Sequence, residues 1–267
     1  MYESGGAIGI FDSGVGGLTV VRQIASRLPR EDIIYLGDTA RVPYGTKSAE
    51  TVVRYAHSCA GILLKRHIKL LVVACNTASA FALDSLRESL DLPVVGVVEP
   101  GARAALEKTK TMKIGIIGTR GTITSGEYQH TLQRLDPKVR VFSKACPLFV
   151  PLAEEGWTTG DVPAQIAAAY LCELIEHEVD TVVLGCTHYP LLRETIASVL
   201  GPSVALVDSA EATSEVVEKI LASTDALRTS NSERSLHFLA SDAPERFAQI
   251  GKAFLDHDIG DVEWVDF

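Results

Sequence analysis

"VVLGCTHYPLL", residues 182–192, decides how this chain is read. Apolar and small residues run without alternation into Cys186, and Thr187, His188 and Pro190 follow. A continuous apolar run of this length is the pattern of a parallel strand buried on both faces, and the polar residues behind it mark the rim where the strand stops. A second run, "LLVVACNTASA" at 70–80, ends the same way, with Cys75 followed by Asn76 and Thr77. One chain therefore carries two thiols, each at the carboxyl end of a buried strand.

Working outward, both runs sit inside a longer repeat. "IGIFDSGVGGL" (8–18) is matched by "IGIIGTRGT" (114–122), and "IIYLGDTAR" (33–41) by "VRVFSKACP" (139–147). "LVVACNTASA" (71–80) is matched by "TVVLGCTHYP" (181–190), and "PVVGVVEPG" (93–101) by "PSVALVDSA" (202–210). Four elements in the same order argue for a duplicated unit, and the period is too long for a solenoid. Between the strands, Leu18, Val21, Ile24, Ala25 and Leu28 recur at helical spacing, as do Val52, Ala56, Cys59, Ala60 and Leu63; a further helix is expected over about 77–89. The expected fold class is α/β: two pseudo-symmetric α/β domains with mostly parallel sheets and an active site in the cleft between them. The two Pro-x-Val-x-x-Val-acid segments are the expected crossings. They give residues 1–98 plus 207–267 as the Cys75 domain and 99–206 as the Cys186 domain. In the tail, "LHFLA" (236–240) and "VEWV" (262–265) read as strands, and Phe247, Ile250, Ala253 and Phe254 as a helix face after Pro244. The polar "STDALRTSNSERS" (223–235) reads as an exposed loop.

Composition narrows the function classes. The 267 residues are 46% hydrophobic and 22% charged, as in a soluble globular protein. The longest apolar runs fall far short of the ~20 residues of a membrane helix. Met1, Tyr2, Glu3 and Ser4 give no secretory leader, so the cytoplasm is the expected compartment. A net charge of −9 without a basic run argues against a nucleic-acid partner. The five cysteines are odd in number, widely spaced and without a C-x-x-C, which argues against a disulfide framework or a structural metal site. Cys59 is expected in the core, and Cys146 and Cys172 receive no chemistry. "GVGGLT" (14–19) has Thr19 where a nucleotide fingerprint needs its third glycine, and no P-loop lysine occurs.

In open α/β sheets, ligands bind beyond the carboxyl ends of the strands. The first rim offers Asp12, Ser13, the "VPYG" stretch (42–45) and Cys75-Asn76-Thr77; the second offers Thr119, Arg120, the "PLAEEG" stretch (151–156) and Cys186-Thr187-His188. Two thiols on opposite sides of a small molecule suit inversion of a carbon centre, where one group removes a proton and the other delivers one. Asp12 and His188 are the candidate proton partners, one per side. Ser13, Asn76, Thr77 and Thr187 precede helix-like patterns, where they can cap helices and also hold carboxylates. Arg120 reads as a surface or hinge residue rather than a carboxylate clamp.

The stretches "GIFDSGVGGLTV", "YLGDTARVPYG", "VVACNTASA", "IGIIGTRGTITSGEY", "ACPLFVPLAEEG" and "VVLGCTHYPLL" together resemble the glutamate racemase family, across essentially the whole chain. The resemblance implies interconversion of L- and D-glutamate without a cofactor and without a metal, supplying D-glutamate for peptidoglycan. It implies Cys75 and Cys186 as the acid/base pair, Cys75 acting on D-glutamate and Cys186 on the L isomer, with Asp12, Glu154 and His188 as assisting groups. It implies substrate binding by Asp12, Ser13, Tyr44, Gly45, Asn76, Thr77, Thr187 and His188, with Thr119 a further candidate. The partner implied is a small molecule, glutamate, and a homodimer is compatible with the composition. Other readings stay open: a racemase of aspartate or hydantoins, a cysteine hydrolase using Cys186 and His188 (which leaves Cys75 unexplained), and a two-lobed small-ligand binding protein.

Overall fold

The computed structural model describes residues 5–230 and 233–267. The leader reading, which rests on Met1–Ser4, and residues 231–232 of the polar loop lie outside them. The strands are β1 (Ala7–Asp12), β2 (Ile33–Gly37), β3 (Ile68–Val73), β4 (Val94–Gly96), β5 (Lys113–Gly118), β6 (Arg140–Ala145), β7 (Thr181–Gly185), β8 (Ala205–Asp208), β9 (Leu236–Ala240) and β10 (Val262–Trp264). The helices are α1 (Leu18–Arg27), α2 (Ala49–Leu64), α3 (Asn76–Ser89), α4 (Val98–Lys108), α5 (Arg120–Ser125), α6 (Glu127–Leu135), α7 (Phe149–Glu154), α8 (Asp161–Glu176), α9 (Arg193–Leu200), α10 (Ser209–Ser223) and α11 (Pro244–Leu255).

The strands form two parallel sheets, ordered β10-β9-β2-β1-β3-β4 and β6-β5-β7-β8. The four matched sequence elements are β1 to β4 and β5 to β8, and both sets take the same spatial order: second, first, third, fourth. The tail strands β9 and β10 extend only the first sheet. Every residue of β1, β3 and β7 is buried, which is why these strands read as mainly apolar runs. β6 is an edge strand, and its exposed and half-exposed side chains include Arg140 and Lys144, charges that discourage pairing with a foreign strand.

The crossing segments are equivalent strand–helix units. β4 leads into α4 and β8 into α10; α4 and α10 pack on each other, and α10 also packs on α1. The largest apolar cluster accordingly runs through both halves, joining Ile10, Leu18 and Val72 to Ile117, Tyr189 and Val217. Two smaller clusters cover the other faces of the two sheets.

The described residues of the 223–235 segment are mostly exposed, as expected, but the segment is pinned at one point. Ala226 is buried, and its carbonyl accepts from Lys69 Nζ at 2.8 Å. Lys69 lies inside β3, buried, with Glu31 Oε2 at 2.6 Å. A cation in that position must be surrounded by acceptors, and Ala226 supplies one. Arg228 then bonds Asp32 at 3.1 Å, which fixes the segment on the amino-terminal edge of the first sheet.

Candidate active site

Both thiols stand at carboxyl ends of strands because the chain turns there into helices. Cys75 follows β3 at the N-cap position of α3, and Cys186 follows β7 directly. They line one cavity of about 40 Å³, together with Ser13, Tyr44, Gly45, Asn76, Thr77, Thr119, Thr187 and His188, and with Val42, Pro43 and Val150. Ten of the twelve residues expected at the site are therefore brought together. The other two, Asp12 and Glu154, sit behind that wall, each in contact with a residue that belongs to it.

On one side, Cys75 Sγ lies 3.7 Å from Ser13 Oγ. Burial pushes the Cys75 thiol up to about 12, the charge of Asp12 adds to this, and the Ala78 N–H and Ser13 hydroxyl oppose it. Asp12, the candidate proton partner on this side, is not the direct neighbour of Cys75: that is Ser13, and Asp12 acts through charge. The Asp12 carboxyl is fully buried, and burial raises it above the ordinary range against the pull of His188 and of the N–H groups of Gly17, Gly14 and Ser13. Its Oδ2 accepts from Gly14 N at 3.1 Å, and its Oδ1 has no protein partner.

On the other side, His188 forms a relay. Its Nδ1 is 3.9 Å from Cys186 Sγ and 3.4 Å from Thr187 Oγ1, and its Nε2 is 3.0 Å from Glu154 Oε1. Burial alone would lower the imidazole. Hydrogen bonds to Cys186 and Glu154, with the charges of Cys186 and Asp12, outweigh it and push His188 up to about 10. The same hydrogen bond holds Glu154 below the usual carboxylate range. The relay thus carries an imidazolium at neutral pH.

The glycine-rich turn after β1 explains itself here. A Cβ on Gly16 would lie 2.3 Å from Thr187 Oγ1 and 2.5 Å from His188 Nδ1. The turn is glycine so that the first half can press its backbone onto the His188 side of the second. Gly45 does the same against Thr119, where a Cβ would stand 2.7 Å from the threonine Cβ. Thr77, Thr119 and Thr122 close the seam with hydroxyl contacts of 2.9 and 3.1 Å.

The capping reading needs correction. Asn76 and Thr77 are the first residues inside α3, whose N-cap Cys75 makes no side-chain cap bond; α1 is likewise uncapped by a side chain, with Gly17 at its N-cap. Thr119 is the residue that caps, accepting from Thr122 N at 3.2 Å at the start of α5. The Tyr44 hydroxyl donates to Asp38, a buried carboxylate that also accepts from Arg41 Nε at 2.7 Å.

The profile of the Asp/Glu/Hydantoin racemase family matches residues 8–248. The chain belongs to this family. It is 56% identical over 256 residues to a glutamate racemase from Geobacter metallireducens, covering 96% of this chain and 95% of that one. Its structure superimposes with a TM-score of 0.92 on glutamate racemase isoform RacE1 from Bacillus anthracis, at 39% identity and with 99% of each chain covered. It superimposes equally well, at 0.92 and 36% identity over 98% of each chain, on a Francisella tularensis glutamate racemase crystallised with D-glutamate.

The remaining three cysteines do not line the cavity. Cys59 is buried against Tyr44 and Arg41, Cys146 gives its carbonyl to Tyr189 and lies outside the cavity lining, and Cys172 is exposed on α8. Arg120 is exposed at the start of α5. Val150 also lines the cavity; it lies inside the "ACPLFVPLAEEG" stretch, but its residue type did not single it out. Among the described residues, no helix is long and apolar enough to cross a membrane, and no group of three or more His, Cys, Asp or Glu residues could hold a metal.

Proposed function

We propose that this chain interconverts L- and D-glutamate by two-thiol proton transfer at Cα, with no cofactor. The observation that carries this reading is one cavity lined by both Cys75 and Cys186, each with its own polar support. Starting from L-glutamate, Cys186 as thiolate takes the α-proton while Cys75, a thiol at neutral pH, gives its proton to the opposite face. The pair of electrons left at Cα delocalises into the substrate carboxylate. Donors aimed at that carboxylate from Ser13, Asn76, Thr77 and Thr187 offset the rise in energy, and they act more strongly in a cavity closed to water. His188 holds positive charge beside Cys186, Glu154 holds His188 in place, and the Asp12 charge reaches both His188 and Cys75. In the reverse direction the thiols exchange roles.

Residues 1–98 with 207–267 and residues 99–206 act as two lobes. The space between the thiols has room for only a few waters, and an amino acid with a carboxylate side chain needs several times more. Substrate therefore enters by parting of the lobes along the seam of Thr77, Thr119 and Thr122. The chain works in the cytoplasm, and the D-glutamate goes to peptidoglycan synthesis.

The order Glu154–His188–Cys186 also fits a cysteine hydrolase triad. What sets that reading aside is Cys75 in the same cavity, which a hydrolase leaves idle. Incubating the enzyme with L-glutamate, without added cofactor, should bring the optical rotation to zero; L-aspartate should remain largely unconverted. Cys75→Ala and Cys186→Ala should each lower turnover by at least about 10³-fold, since each removes an acid/base group, while circular dichroism stays native. Full activity of Cys75→Ala would remove the two-thiol reading and favour the hydrolase.

A further inference from the structure

Asn76 lines the cavity and is buried, yet its amide nitrogen Nδ2 has no protein partner. The amide oxygen does have one. Tyr128, on α6 in the other half of the molecule, donates its hydroxyl to Asn76 Oδ1 at 2.7 Å. An amide can present either end to a ligand, and only its hydrogen-bond partners decide which. A phenol proton on Oδ1 turns both N–H donors the opposite way. Tyr128 is itself buried and closely held. A Cβ on Gly101 would lie 3.3 Å from its hydroxyl, and one on Gly185, the residue before Cys186, 3.2 Å from its ring. Ser209, at the start of α10, is a further hydrogen-bonding neighbour of the phenol.

We infer that Tyr128 is a positioning residue for the reaction: by holding Asn76 Oδ1 across the seam, it orients the Asn76 amide so that Nδ2 donates to the substrate carboxylate. This rests on the racemase reading above and adds a group that does not touch the substrate. It also ties amide orientation to lobe closure, because donor and acceptor come from opposite halves. When the halves part, Asn76 loses the partner that fixes it, and when they close on substrate it regains it.

A double-mutant cycle tests this, with kcat/KM for L- and D-glutamate measured for wild type, Tyr128→Phe, Asn76→Ala and the double variant. Tyr128→Phe keeps the ring that packs on Gly185 and removes only the hydroxyl. It should lower kcat/KM by about tenfold, the scale of one buried hydrogen bond to a charged group. In the Asn76→Ala background the same change should alter kcat/KM by less than about twofold, because a residue that acts through Asn76 has nothing left to act on. Additive losses, or no loss in Tyr128→Phe, would overturn the assignment. A second measurement needs no tyrosine variant. The chain has two asparagines, Asn76 and Asn231, so asparagine-selective ¹⁵N labelling gives two side-chain amide pairs. The pair lost in Asn76→Ala should shift on saturation with D-glutamate; an unmoved pair contradicts the inference. A wild-type enzyme that leaves glutamate untouched defeats the racemase reading and this proposal together, whereas an active wild type with an additive cycle defeats the proposal alone.

Discussion

His188 is the residue on which the site's electrostatics turn. It is buried, which disfavours its charge, and it is nevertheless pushed up to about 10 by Cys186, Glu154 and Asp12. Removing the Glu154 charge weakens that support. Glu154→Gln should therefore move the alkaline limb of kcat/KM to lower pH by about one unit, the usual reach of a neighbouring opposite charge; an unmoved limb would mean that His188 does not set it. The same shift has a stability consequence. A group whose folded pKa lies above its unfolded value stabilises fully below the unfolded value and loses that contribution as pH rises through the folded one. For His188 the window runs from the ordinary imidazole value of 6.5 to about 10. The melting temperature should fall across it, and fall less steeply in His188→Gln. At this scale the thiols, Ser13, Thr187 and His188 were legible because each sits beside a strand end that the apolar pattern marks. Tyr128 was not legible: it lies far along the chain from Asn76, and no local pattern shows which distant amide a buried phenol will meet.

Elements set how closely these residues approach one another. The turn between β1 and α1 presses Gly16 onto Thr187 and His188, with no space for a Cβ. Gly16→Ala should displace the His188 ring. A shift of about 1 Å at a catalytic group costs on the order of 10²-fold in rate, whereas overpacking costs only about 1–3 kcal/mol in stability. An enzyme that still folds but has lost most of its kcat/KM is the expected result; unchanged kinetics would show that the turn can back away. The strand order was recoverable from four matched segments, because buried parallel strands leave long apolar runs. The helix starts were read less well. Asn76 and Thr77 look like caps by residue type, but the helix begins one residue earlier than the pattern indicates, which places both inside it and leaves their side chains free to face the cavity. The 223–235 segment is mostly exposed as read, but its buried anchor at Ala226 was not foreseen. Its polarity conceals a requirement set by Lys69, a cation inside a strand that sequence polarity alone does not show to be buried.

At the scale of the molecule, the repeat gives the chemistry its symmetry and the packing takes some of that symmetry away. Matched strand ends deliver one thiol each, yet the largest apolar cluster joins both halves through α1, α10 and their neighbours, and the tail strands enlarge only one sheet. The supports are unequal as well: Cys75 has a hydroxyl neighbour and a carboxylate behind it, and Cys186 has an imidazole backed by Glu154. Because enantiomers have equal free energy in water, kcat/KM must be the same in both directions at every pH, so this inequality shows only in the separate kcat and KM values. On the proposed mechanism, what the symmetry retains is a base on one face and an acid on the other. The most direct measurement of that arrangement is isotopic. L-glutamate is converted in D₂O to low extent, and Cα deuterium is read in each enantiomer separately. The account predicts deuterium in the newly formed D-glutamate while the remaining L-glutamate keeps its protium, since the proton delivered comes from a solvent-exchanged thiol other than the one that received the substrate's. Product that retains the original hydrogen would mean that a single group carries it from face to face, and would contradict the account.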